Sequence, residues 1–358
     1  MMSTPLALAF TGKRIALTSA NSWGGCCAAV QLSRGLEKNF KGAQLVCLVR
    51  DDENLALLKN LKNVKVEKVD YEDETTLERA LQGVTCTVMF LEWHERRVPF
   101  GKKLVAAMKK AHVNSCLMVS ILGAGQSQLR GHRAYHEVEQ EVRGNIPNYV
   151  ILRKAILSQV FLLWSSSVKE RGQFPMATDK NTLATHVDLI DVVGVIETVV
   201  NEHCQVDSQR PDSIVNSFGK HTHKIYTLAG PEQTHPGGIV QILNESSDNN
   251  VEFKKVSREE LREYFMSLIK NEGWEVPDVD QCNSIMNSEG DNRRQIALTL
   301  PMIDMLLDEY EWCSIDNALV PDMREVLGYE GRTLRDFFLK EKEAFKPYCA
   351  QNHTEKSH

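Results

Sequence analysis

The strongest constraint on this chain is an alternation that runs through its first 160 residues. Short apolar segments rich in β-branched residues recur as RIALTS (14–19), QLVCLVR (44–50), VKVEKVD (64–70), CTVMFLE (86–92), SCLMVSILGA (115–124) and NYVILRKAIL (148–157). Between them lie helix-like stretches: WGGCCAAVQLSRGLEKN (23–39), DENLALLKNL (52–61), ETTLERALQGV (74–84), VPFGKKLVAAMKKAH (98–112) and HRAYHEVEQEVRGN (132–145). Strands of this kind need helices on both faces, which predicts a parallel sheet. Right-handed crossovers then give an α/β, Rossmann-like doubly wound order. HVDLIDVVGVIETVVNEH (186–203) continues as a strand turn and a helix, so this domain is expected over 12–203. The polar stretch at 206–223 reads as an exposed insert or loop, and KIYTLAG (224–230) as one more strand of the same sheet. GGIVQILNE, SREELREYFMSLIKNEG, LPMIDMLLDEYEWC and LRDFFLKEKEAF predict a smaller, mostly helical lobe over 231–345, before a flexible tail at 346–358.

Composition excludes several partners. Lys and Arg number 42 against 48 Asp and Glu, a formal charge of −6 that argues against a nucleic-acid footprint. No apolar run approaches the roughly 20 residues that span a bilayer, and MMSTPLALAF lacks the charged start of a signal peptide. Nine cysteines, with no C-x-x-C pair and apolar settings such as LVCLV, fit reduced, mostly buried thiols. A cytoplasmic protein is the expectation, with neither nucleic acid nor membrane as partner.

The turn after the first strand, TSANSWGGCC (18–27), stands where a dinucleotide loop carries three glycines. One permits the tight turn, one lets backbone N–H groups approach a pyrophosphate, and one lets helix and strand pack closely. Ser19, Ser22 and Gly25 fall at these points, with Gly24 beside the last. The two hydroxyls crowd the loop but are able to donate to a phosphate, and Trp23 crowds its entrance; Asn21 completes the candidate loop. An ordinary strand-to-helix turn explains the same residues. The second strand ends in Val49-Arg50-Asp51-Asp52, where an arginine suits a 2′-phosphate and favours NADP(H) over NAD(H). Arg50 also reads as a solvated strand end, with Asp51 or Asp52 as a helix cap.

Taken in order, VKVEKVDYEDETTLERALQGVTCTVMF, EVEQEVRGNIPNYVILRKAIL, HVDLIDVVGVIETVV and VLGYEGRTLRDFF resemble the NmrA-like group of atypical short-chain dehydrogenase relatives, over about residues 13 to 340. Arg50, Asp70, Gly83, Val84, Glu139, Arg153 and Asp191 stand at matching places, while Ser19 and Ser22 replace two loop glycines. The resemblance implies a lobe that binds NADP(H) or NAD(H), Asp70 among its cofactor residues, and a small C-terminal lobe that closes a cleft. It also implies two styles of function. Some relatives reduce quinones or similar small molecules; others are redox sensors that bind the nucleotide and pass its state to a protein partner.

Standard short-chain dehydrogenases pair Tyr-x-x-x-Lys, the lysine easing ionisation of the tyrosine. Here Tyr135 is followed four residues later by Glu139, whose charge would raise the tyrosine pKa. Tyr135 stands where the family's K-x-x-x-E lysine belongs. Ser120 at a strand end and His136 beside Tyr135 complete a candidate catalytic group, although an exposed helix face explains Tyr135 and the histidines more simply. His132 with His136, and His221 with His223, lack a third metal ligand; solvent-facing histidines account for all four, and no metal is expected. Cys26 and Cys27 open a helix whose dipole lowers thiol pKa, or are small packing residues. The leading expectation is a nucleotide-responsive regulatory protein without Tyr-x-x-x-Lys catalysis, meeting a protein partner through its C-terminal lobe. The alternatives are an NADPH-dependent oxidoreductase acting on a quinone and a cofactor-free scaffold.

Overall fold

The computed structural model describes residues 13–51, 55–205, 217–270, 298–313 and 321–346. Seven parallel strands form the central sheet: β1 (Arg14–Leu17), β2 (Gln44–Val49), β3 (Val64–Lys68), β4 (Cys86–Phe90), β5 (Ser115–Ile121), β6 (Asn148–Lys154) and β10 (Lys224–Leu228). Their order is β10-β6-β5-β4-β1-β2-β3, every pairing parallel. The direction of winding reverses between β1 and β4, which is where such sheets open a crevice.

The period of two along each strand builds two cores. Ile15, Leu17, Leu45 and Cys47 face α1 (Trp23–Asn39), α2 (Leu55–Asn60) and α7 (Leu189–Cys204). Ala16, Val46 and Leu48 face α3 (Glu74–Ala80), α4 (Arg97–Lys110) and α5 (Arg130–Asn145). The doubly wound α/β architecture expected from the alternation is therefore present, and α1 begins and ends at the expected residues.

A third core lies beside the sheet. It draws on Ile156, Phe161, Trp164 and Phe174 as well as on the C-terminal helices, so residues between 156 and 187, expected within the first domain, contribute to the second lobe. This lobe contains β7 (Ile156–Leu157), α6 (Ser165–Arg171), β8 (Gln173–Met176), β9 (Ala184–Val187), β11 (Gln233–Thr234), α8 (Pro236–Ser247), β12 (Glu252–Lys255), α9 (Arg258–Lys270), α10 (Leu300–Cys313), α12 (Leu334–Lys340) and α13 (Lys342–Phe345). Trp164 stacks on Phe174 with centroids 5.1 Å apart and meets Phe265 edge-on at 5.0 Å, contacts that fix orientation beyond area burial. The short helix α11 (Met323–Leu327) returns to the first core through Met323 and Val326. Most of the polar insert expected at 206–223, and the tail, lie outside the described residues.

Among the described residues no helix is long and apolar enough to cross a membrane. Cys26, Cys47, Cys86, Cys116, Cys204 and Cys313 are free and buried. Cys27 departs from the expectation of reduced thiols, being disulfide-bonded.

Candidate functional site

The β1–α1 turn keeps the geometry of a phosphate loop although two of its glycines are serines. Ser19 takes the left-handed φ of +48°, a conformation that favours glycine. Its hydroxyl makes up part of that cost by donating to Glu92 Oε1 at 2.8 Å. Gly25 is obligatory: a Cβ there would lie 2.1 Å from the Ser19 carbonyl oxygen. Ser22 caps α1, accepting from the Gly25 amide at 3.1 Å. The amides of Trp23 and Gly24 have no acceptor among the described residues. The Trp23 indole nitrogen is also buried without a partner. Two free amides at the start of a 17-residue helix suit a pyrophosphate. The loop therefore fits a dinucleotide at its phosphate end.

Around this loop the structure gathers charges that the sequence left scattered. Arg50, at the end of β2, has no hydrogen bond or ion pair to its side chain among the described residues and acts electrostatically on Tyr71, Glu92 and His94. Its neighbour Asp51 accepts from Asn21 at 2.5 Å, so Asn21 ties the loop to the β2 end. Glu92 follows β4 and faces Ser19 and Tyr71; burial raises its pKa, against the pull of Ser19 and Arg50. Asp70 is exposed and accepts from the Glu72 amide at 2.8 Å, closing the turn into α3.

The candidate catalytic residues come close together on and beside α5, in roles the spacing alone did not show. Glu139 is fully buried; its Oε1 accepts from Ser120 Oγ at 2.6 Å and Arg153 Nε at 3.0 Å, and its Oε2 from Arg153 at 2.6 Å. Ser120 thus serves a buried ion pair. Tyr135, expected on an exposed helix face, is only 5% exposed. Its pKa is raised to about 12 by burial first and then by Glu309, against Arg97. The cause is not Glu139, whose charge Arg153 already answers. His136 is half-exposed and lies 3.6 Å from Glu139. His132 and His221 contradict the expectation of solvent-facing histidines: both are buried, His132 beneath Gly123 and Trp312, His221 beside the Tyr226 hydroxyl at 2.8 Å. Among the described residues no cluster could hold a metal.

The other matched positions also hold the fold together. Asp191 is buried and receives the Arg332 amide at 2.7 Å and its guanidinium at 2.5 Å, and Gly83 takes a φ of +70°.

Four residues that sequence reasoning passed over join α10 (Leu300–Cys313) to the ends of β5 and β6 and to the start of α5. Lys154, at the end of β6, pairs with Glu309 of α10 at 2.8 Å, both nearly buried. Burial raises the Glu309 pKa while Lys154 opposes the rise. Asp308 accepts from the Gly131 amide at 3.0 Å. The Trp312 ring lies so close to Gly123, in the turn after β5, that a Cβ there would be 2.7 Å away. With Glu92, the residues Lys154, Glu309 and Trp312 had no motif to announce them. A lysine inside the apolar run of β6 was the one readable signal.

Comparisons with known proteins bear on the fold and the class of ligand. A family model described as NAD(P)H-binding matches residues 30–163, a span that begins just after the glycine loop. Quinone oxidoreductase 2 of Escherichia coli K12 is 24% identical over 244 residues, 68% of this chain and 77% of that protein. The fold is shared with a Citrobacter triphenylmethane reductase complexed with NADP(H), at a TM-score of 0.68, 18% identity and coverage of 92% of this chain and 99% of that one. It is also shared with NmrA, a negative transcriptional regulator, in complex with NADP, at a TM-score of 0.63, 12% identity and coverage of 93% and 98%. Residues 30–163 thus match an NAD(P)H-binding family model, and the chain as a whole has the Rossmann fold that these NAD(P)-binding proteins share.

Proposed function

We propose that this protein binds NADP(H) in the β1–α1 crevice and works as a nucleotide-responsive binding protein, not as a standard dehydrogenase. The free amides of Trp23 and Gly24 would receive the pyrophosphate, and the unpaired Arg50 would receive the 2′-phosphate that separates NADPH from NADH. Bound NADPH supplies a hydride, which needs an acceptor seated over the carboxyl ends of the neighbouring strands. The observation that carries the reading is what stands there: Glu309 is locked onto Lys154 and Trp312 is pressed onto Gly123. On this reading α10 would stand in the way of an acceptor, and Tyr135, buried with its pKa raised to about 12, is a poor proton donor at neutral pH. A binding protein of this kind passes its state to a partner. We assign that role to the second lobe, where Leu300 and Leu339 stand 41% and 50% exposed.

The second reading is an NADPH-dependent reductase of a quinone, favoured by the sequence match to quinone oxidoreductase 2. Hydride delivery to a quinone relies chiefly on orientation and electrostatics. Titration of the purified protein with NADPH and NADH, followed by addition of a quinone, separates the readings. Tight NADPH binding without oxidation is the expected result. Turnover proportional to protein concentration would establish the reductase, and no binding at millimolar cofactor would leave a scaffold.

A further inference from the structure

We propose that a second pocket, apart from the dinucleotide loop, binds a small organic anion bearing a carboxylate or phosphate group. It lies between the first turns of α4 and α5 and the helices α9 and α10, and holds about 900 Å³, a size typical of small-molecule sites.

The charges lining it do not balance. Asp304 is answered by Arg262 at 2.7 Å, Asp308 by Arg258 at 2.6 Å, and Glu137 by Lys102. With these pairs set aside, Arg97, Arg130 and Arg133 remain without a carboxylate among the described residues, against the single unpaired carboxylate of Glu95. Over the lining residues five arginines face four carboxylates, a surplus of one positive charge. Arg97 makes the case strongest. Only 8% of it is exposed, yet it meets just the carbonyls of His94 and Pro301, each at 3.3 Å, the Met305 sulfur at 3.6 Å and the Trp93 ring at 5.9 Å. A buried guanidinium without an anion is costly, and its planar fork matches a carboxylate or a phosphate. The helix terminus is not the binding element, because the Gly131 amide is already given to Asp308. Arg130 and Arg133 project from exposed positions on α5 and make no side-chain hydrogen bond among the described residues, so they are free to close over an occupant. Pro301, Met305 and Asp308 of α10 form one wall. The occupant therefore rests on the same helix that Glu309 ties to Lys154.

Calorimetric titration of the full chain with inorganic phosphate and with malonate, at ionic strength fixed with chloride, tests the site. Saturable binding of one anion per chain is expected, weakened at least tenfold in the double variant Arg130→Ala/Arg133→Ala and unchanged in Arg50→Ala. The stronger of the two anions identifies the ligand class. Because Arg130 and Arg133 hold nothing in the fold, the double variant should unfold at the wild-type temperature; Arg97→Lys supplies a second test and should weaken binding severalfold. Absence of saturable binding with either anion would overturn the proposal. So would equal affinity in the double variant, or a loss in Arg50→Ala, which would place the anion in the dinucleotide crevice.

Discussion

Arg50 acts electrostatically on Glu92, which also accepts from Ser19 of the β1–α1 loop, and under the proposed function the two charges would set how a nucleotide is received. Arg50→Ala should weaken NADPH by roughly tenfold or more, the loss of about 1.4 kcal/mol or more from a charge-assisted contact, and leave NADH unchanged. Equal losses would refute the assignment of Arg50 to the 2′-phosphate. Glu92 carries a carboxylate beside the phosphate loop, with its pKa raised by burial. Glu92→Gln keeps an acceptor for Ser19 and removes the charge, so NADPH affinity should rise by roughly three- to tenfold, the scale of one screened charge. Fluorescence titration of the two variants reads both effects. Gly25 admits no Cβ, because that atom would fall 2.1 Å from a backbone oxygen; Gly25→Ala should disrupt the loop and abolish binding. The need for glycine at 25 was legible in the sequence. The left-handed Ser19 was not, since nothing in a sequence shows which serine is held there by a partner 73 residues away.

Among the elements, α10 is the one on which the proposed function turns, and its position was not legible in the sequence. Its apolar pattern predicted a helix, and a helix is present. Its destination depends on a Lys154–Glu309 pair across 155 residues of chain, a contact that no local spacing encodes. The motif positions have structural partners instead: buried Glu139 pairs with Arg153, and buried Asp191 with Arg332, each tying two segments together. Removing one partner of a buried pair leaves a stranded charge. Lys154→Met should therefore cost about 3–5 kcal/mol in urea unfolding, while Lys154→Met/Glu309→Leu should recover most of it. Equal destabilisation in single and double variants would show that the pair does not anchor α10.

At the scale of the whole molecule, three buried histidines tie stability to pH. Burial lowers His132 to about 4, and His186 and His203 to about 3, from an ordinary 6.5. The unfolded chain thus binds more protons below pH 6.5, so the stability these groups contribute is complete above that pH and is lost as pH falls toward 4. Each histidine adds a slope of about 1.4 kcal/mol per pH unit within this window. Glu92, Asp191 and Glu309, raised by burial, work in the other sense and reduce the net slope. His186→Gln should therefore flatten the urea-midpoint profile between pH 6.5 and 4 relative to the wild type; an unchanged profile would contradict the buried, neutral state of that side chain. The sheet and its winding were legible because hydrophobic periodicity reports directly on which faces are covered. The proposed function rests on what the C-terminal helices lay over that sheet, and one measurement reads it most directly: NADPH oxidation by the purified protein with a quinone present at saturating cofactor. The account predicts saturable quenching of cofactor fluorescence and no oxidation above the protein-free rate. Steady oxidation in proportion to protein concentration would contradict it.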